Sequence, residues 1–282
     1  MRMESEVELL VGGISAAEGP AFDCDGNLFF VDWLVSSIVK LTPDGETSEF
    51  FNTGGIPAGL AFHPDGSLWV ADEGEHIHGI LRISADGTSS EFVVNEFGGR
   101  PLNGANDLVF DRNSVLYFSD PWGSNAENSI GGFYRYFPDG RIEQLDSGLA
   151  FPNGVALDAG ESVVFLAETY RNRILRYPIN SNGTVGPREV WADVASPPGA
   201  DGMAFDLNGL LYVAHFNGGV VDIFGSDGSL VGQITVPGPK PTNVAFGGPD
   251  NKTLVITEVE THSVYHVRLD VAGQRLNDGQ PM

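Results

Sequence analysis

The stretch EGPAFDCDGNLFFVDW, residues 18–33, returns five more times along the chain in altered form. The copies read AGLAFHPDGSLWVADE, NDLVFDRNSVLYFSDP, NGVALDAGESVVFLAE, DGMAFDLNGLLYVAHF and TNVAFGGPDNKTLVITEV. Each alternates apolar and polar residues on either side of a turn-forming centre, such as Asp25-Gly26 in the first. That pattern is a β-hairpin, and Asp-Gly is among the strongest short-range signals for one. The anchors Phe22, Phe62, Phe110, Leu157, Phe205 and Phe246 lie 40, 48, 47, 48 and 41 residues apart. A period of this size suits the four-stranded blade of a β-propeller.

Each hairpin leads into a third strand, as in SIVKL, GILRI and RILRY, and most into a fourth, as in TSEFF and REVWA. The sixth repeat has no fourth strand before its polar tail, residues 271–282. The missing strand lies at the other end, because EVELLVGGISAAEGPAF aligns with TSEFFNTGGIPAGLAF. Residues 6–11 are therefore predicted to complete blade six and so remove an open sheet edge. The expectation is an all-β, six-bladed propeller with four antiparallel strands per blade, one domain over 1–282. The 37 glycines and 17 prolines are scattered, as many short strands and turns require, and no amphipathic helix of ordinary length is evident.

Aligning the repeats brings polar residues into two rings. Four residues before each anchor stand Glu18, Ala58, Asn106, Asn153, Asp201 and Thr242. The first strand of a propeller blade lines the central channel, so these residues encircle the axis. A second ring, at the end of each hairpin's second strand, comprises Asp32, Asp72, Asp120, Glu168, His215 and Glu258. Antiparallel pairing puts both rings on one face. So many carboxylates on one axis repel, and either a cation or raised pKa values must relieve them. Glu18, Asn106, Asn153 and Asp201 offer only oxygen donors of mixed carboxylate and amide type. That set suits a hard divalent cation, calcium above all, with coordination positions left open. For the acids of the second ring, bonding to backbone is the alternative reading. Cysteine and histidine do not cluster as structural zinc requires.

The formal net charge of −23 excludes nucleic acid as a natural partner, since phosphate binding needs clustered Lys and Arg. Cys24 is the sole cysteine, so no internal disulfide forms. The amino terminus MRMESEVELL lacks the apolar core of a signal peptide, and no later stretch is apolar enough to span a bilayer. A cytoplasmic location away from membranes is expected, with the protein a monomer or weak homo-oligomer.

At these residues the chain resembles the regucalcin/gluconolactonase (senescence-marker-protein-like) family of six-bladed propellers. The most specific pieces are EGPAF, RPLNGANDLVF, FSDPWG, FPNGVALD and DGMAFD. The resemblance implies one divalent metal on the axis, held by Glu18, Asn106, Asn153 and Asp201. Zinc, magnesium, manganese or iron are the alternatives to calcium. It also implies hydrolysis of a small-molecule lactone, often sugar-derived, with Asp201 as base as well as ligand. AETYRNRILRY fits the strictosidine-synthase-like branch almost as well, but that branch does not rely on this metal set. Arg100 and Asn103, in a connection longer by about eight residues than the first, are candidate substrate contacts, as are the mouth aromatics Trp33, Trp122 and Tyr170, with Phe216 beside them. His76 and His78 in GEHIHG read as a simple loop rather than a second metal site. Two other readings are a phosphotriesterase on the same site and a calcium-binding scaffold without catalysis.

Overall fold

The computed structural model describes residues 6–75 and 78–275, so His76 and the end of the polar tail, residues 276–282, lie outside the described residues. Six four-stranded antiparallel sheets follow one another around an axis. Blade one runs through Ala17–Phe22, Leu28–Asp32, Ser37–Leu41 and Thr47–Asn52, and its spatial order is its chain order. The inner strands of blades two to six are Pro57–Phe62, Leu108–Phe110, Pro152–Leu157, Ala200–Phe205 and Pro241–Gly247. Their spacing reproduces the sequence repeat.

Closure follows the expected route. Glu8–Gly12 pairs antiparallel with Ser263–Arg268 and becomes the outer strand of blade six. Chain start and chain end thus share one sheet, and the ring has no unpaired seam.

The hydrophobic gradient along each blade explains the packing. The second strand is covered on both faces by neighbouring blades, and Leu68–Glu73 is buried at every position. The outer strand faces solvent, and Thr47–Asn52 is mostly exposed. Core clusters accordingly lie between blades. Phe29, Val31 and Ile38 of blade one pack on Leu60, Val70 and Leu81 of blade two. Trp69 and Phe110 bridge blades two and three edge to face, with ring centroids 5.1 Å apart. No helix among the described residues is long and apolar enough to cross a membrane.

The second ring is not a cation cage. Each of its carboxylates clamps the connection that enters its own blade. Asp32 accepts from the Ser15 and Ala16 N–H groups, Asp72 from Ile56 and Gly74, and Asp120 from Asn103 and Gly104. Glu168 accepts from Ala150, and Glu258 from Lys240 and Thr261. In blade five the polarity is reversed. His215 Nε2 lies 2.9 Å from the Pro197 carbonyl and Nδ1 lies 2.9 Å from Asp222 Oδ2. Both partners are acceptors, so both ring nitrogens carry protons in this arrangement.

The beginning of the polar tail is also integrated into the fold. Gly273 bridges Asp206, Gln274 N–H donates to the Phe205 carbonyl, and Gly273 N–H donates to that of Asn251. A Cβ at Gly273 would fall 2.1 Å from Phe246, so the chain crosses blades five and six where only glycine fits.

Candidate active site

Five of the six inner strands are interrupted near the mouth end, and in blade three the ring residue Asn106 stands just ahead of the strand Leu108–Phe110. In blade one, Glu18 pairs with Val31 but Ala21 pairs with Phe29, so an extra residue bulges out between them. The same slip occurs after Pro57, Pro152, Ala200 and Pro241. Bulges re-aim side chains. Gly19 makes the bulge possible: its φ is +52°, and a Cβ there would lie 2.0 Å from the Ala58 carbonyl oxygen.

Glu18, Asn106, Asn153 and Asp201 are all buried. The Oδ1 atoms of Asn106, Asn153 and Asp201 are buried with no hydrogen-bond partner among the described residues. An unpaired buried polar atom costs about 1–3 kcal/mol, so three at one register amount to an unmet demand for a ligand. Glu18 is bonded to its own loop through the Gly19 N–H at 2.9 Å and has weaker donors in Thr257 Oγ1 at 3.3 Å and Asn243 Nδ2 at 3.4 Å. A mixed oxygen set with idle acceptors fits a hard divalent cation. Among the described residues no group of three or more Asp, Glu, His or Cys side chains is arranged to hold a metal, so the amides are essential to any such site.

Thr242, in the same ring, is tied to the Ala17 carbonyl at 2.8 Å and to Thr257 Oγ1 at 2.7 Å. Through Thr257 it supports Glu18.

Three polar residues escape a reading based on the two rings alone. One position beyond the first ring stand Gly19, Gly59, Asp107, Gly154, Gly202 and Asn243. At the glycines the inner strands approach so closely that a Cβ at Gly154 would lie 2.3 Å from the Asp201 carbonyl oxygen. Asp107 and Asn243 break the glycine pattern and reach the next blade instead. Asp107 Oδ2 accepts from Val155 N–H at 2.7 Å, and Asn243 faces Glu18. The third is Glu73, one position beyond the second ring, whose Oε1 accepts from Asn106 Nδ2 at 2.9 Å. Its counterparts are Trp33, Pro121, Thr169, Phe216 and Val259, so a lone acid in that register was the available signal.

Four buried carboxyls therefore interact, and all are pushed upward. Burial raises Glu18 to about 8, and Asp107 adds to the rise, against the opposing Gly19 N–H. Burial raises Glu73 to about 8, with Glu18, Asp72 and Asp120 adding to it and Asn106 opposing. Asp107 rises to about 7 through burial. Asp201 is held well above the ordinary carboxylate range by burial and then by Glu18, Asp107 and Glu73.

The expected substrate contacts divide. Trp122 and Tyr170 are exposed, and Tyr170 packs edge to face on Phe151. The loop bearing Trp122 is joined to the Tyr170 turn by Arg171, which donates to the Ala126 carbonyl. Arg100 is exposed on the short ribbon Glu96–Phe97/Arg100–Pro101. Trp33, by contrast, packs against the cluster between blades one and two. Asn103 uses its amide on the carbonyls of Asp120 and Ile130, so its donors are engaged by the fold. A cavity of about 1140 Å³ opens on the opposite face among the hairpin turns. Its walls are mainly apolar and it ends on Gly19, Asp107 and Asn243, just beneath the ring. The unpaired buried oxygens of Asn106, Asn153 and Asp201 lie at the ring itself.

The fold and the polar waist together define a six-bladed propeller with buried oxygen donors set around its axis. Residues 16–260 match the SMP-30/gluconolactonase/LRE-like region, and the chain belongs to that family. It is 31% identical to a diisopropyl-fluorophosphatase of Loligo vulgaris, over 89% of this chain and 88% of that protein. It is also 31% identical to a gluconolactonase of Zymomonas mobilis, over 96% and 83% respectively. A solved gluconolactonase of Xanthomonas campestris superimposes with a TM-score of 0.83 at 25% identity, covering 94% of this chain and 90% of that one. A regucalcin of Agrobacterium tumefaciens shares the fold, with a TM-score of 0.86 at 19% identity over 100% of this chain and 99% of that one.

Proposed function

We propose that the protein is a divalent-metal-dependent lactonase, with Glu18, Asn106, Asn153 and Asp201 as the metal ligands. The observation that carries this reading is the set of unpartnered, buried Oδ1 atoms on Asn106, Asn153 and Asp201. Glu18 and Asp201 balance a double positive charge, while the amides add oxygen donors without further repulsion. A cation bound there supplies Lewis acidity that polarises the lactone carbonyl and stabilises the oxyanion. Asp201 then takes a proton from the attacking water. A buried carboxylate with one oxygen lacking a donor is a stronger base than one in water, which suits that role. At the mouth, Trp122 and Tyr170 offer flat faces against which the C–H face of a sugar-derived lactone or an alkyl substituent can lie, and Arg100 is free to meet its oxygens.

The identity to a fluorophosphatase gives a second reading, phosphotriester cleavage at the same centre. Both are tested by chelating the purified protein and adding back calcium, magnesium, manganese, zinc or iron singly. Hydrolysis is then followed on aldonolactones, aliphatic lactones and phosphotriesters. Metal-restored lactone turnover above phosphotriester turnover is expected. The reverse order would favour the second reading. Calcium binding without turnover of any substrate would leave a scaffold.

A further inference from the structure

Two buried acids near the axis, Asp107 and Glu73, lie in neither ring and take no part in the proposed chemistry; Asp107 is tied to the Val155 N–H, whereas Glu73 meets a ring residue. It ends the second strand of blade two, Leu68–Glu73, and its side chain is buried. The connection into blade three crosses directly over it. Gly104 makes that crossing possible, because a Cβ there would lie 3.1 Å from Glu73 Cα and 2.8 Å from Trp122 Cβ. Two residues later Asn106 lies beside Glu73, and its Nδ2 donates to Glu73 Oε1 at 2.9 Å.

That bond decides which way the amide faces. In this bond Glu73 Oε1 is the acceptor, and an acceptor oxygen selects the NH₂ end of Asn106 and turns away the carbonyl end, which would place two acceptors in contact. With Nδ2 turned to Glu73, Oδ1 must point the other way, and there it has no partner. We propose that Glu73 is a positioning residue for the cation site: it locks the Asn106 amide with its oxygen toward the axis. The inference rests on the metal reading above, and it concerns preorganisation of one ligand rather than the identity of the reaction. Outer partners that orient a ligand add about 10- to 100-fold to metal affinity.

The test is calorimetric titration of calcium into chelator-treated, full-length protein, with thermal melting in chelator as the check on folding. Glu73→Gln keeps an acceptor oxygen and removes the charge. Glu73→Met keeps the volume and removes the acceptor. Affinity within about threefold of wild type is expected for Glu73→Gln, and about tenfold weaker binding for Glu73→Met. In an Asn106→Ala background, Glu73→Met should weaken calcium no further, because its route to the metal is gone. Glu73→Gln matching Glu73→Met would overturn the proposal in favour of simple charge attraction. So would wild-type affinity in Glu73→Met, or a full further loss on the Asn106→Ala background. If Glu73→Met does not fold, the comparison of Glu73→Gln with wild type still decides, a tenfold loss overturning the proposal and near-equality supporting it. Wild-type protein that takes up no calcium overturns it together with the metal reading, an outcome distinct from the others.

Discussion

Asp201 and Asn106 show how little separates a structural side chain from a chemical one. Each has a buried oxygen without a donor, and only the carboxylate can also take up a proton. Asp201→Asn should therefore cut lactone turnover by about 100-fold or more at saturating metal, with the melting temperature retained. Steady-state kinetics on the best lactone read this directly, and wild-type turnover would remove Asp201 as base. The raised carboxyls also predict a pH dependence. Glu18 and Glu73 move from 4.5 to about 8, and Asp107 from 3.8 to about 7, so the folded protein holds protons that the unfolded chain has released. Stability of the chelated protein must then fall as pH rises from about 5 to 8. His215, raised by its bond to Asp222, acts in the same direction, since its stabilisation is lost as pH rises through its folded value. Calcium should offset the carboxyl part, leaving a shallower decline and releasing protons on binding. Urea midpoints across this pH range, with chelator and with calcium, check the prediction, and parallel curves would contradict it.

At the scale of the element, the hairpin end is the repeating device. In five blades a second-strand acid holds the connection that delivers that blade's own inner strand, and so sets where its ring residue stands. Asp120 is the clearest case, because its two oxygens take the Asn103 and Gly104 N–H groups at 3.0 and 2.7 Å. Those bonds lie directly before Asn106. Asp120→Ala should leave buried donors unpaired and cost about 2–3 kcal/mol, read as a lower urea midpoint at unchanged slope. It should also weaken calcium, because the connection carrying Asn106 loosens. Unchanged stability would mean that water replaces the clamp without loss.

For the whole molecule, closure is the decisive contact. Glu8–Gly12 is mostly exposed and contributes little to the core, yet it covers the edge of Ser263–Arg268. Deleting residues 1–12 exposes that edge and opens the seam of the ring. Aggregation, or a melting temperature lower by about 5 °C or more, is expected on the usual scale for losing a few kcal/mol in a chain of this size. A truncated protein that melts like the full one would show that the ring holds without this strand.

The sequence alone determined blade number and closure, and it singled out the four oxygen-bearing residues proposed as the site, because each depends on register, and hairpin repeats preserve register from copy to copy. It did not determine what the second ring does. Whether Asp32 or Asp120 meets a cation or a backbone N–H depends on where a connection from the preceding blade passes. Nor could it separate Trp33, packed between blades, from Trp122, exposed at the mouth, though both follow an acid of the second ring. Glu73 and Asn106 are 33 residues apart, and their hydrogen bond exists only because two blades meet beside the axis. Local pattern specifies strands and turns; contacts between blades are long-range, and they decide which oxygens are satisfied and which remain available to bind.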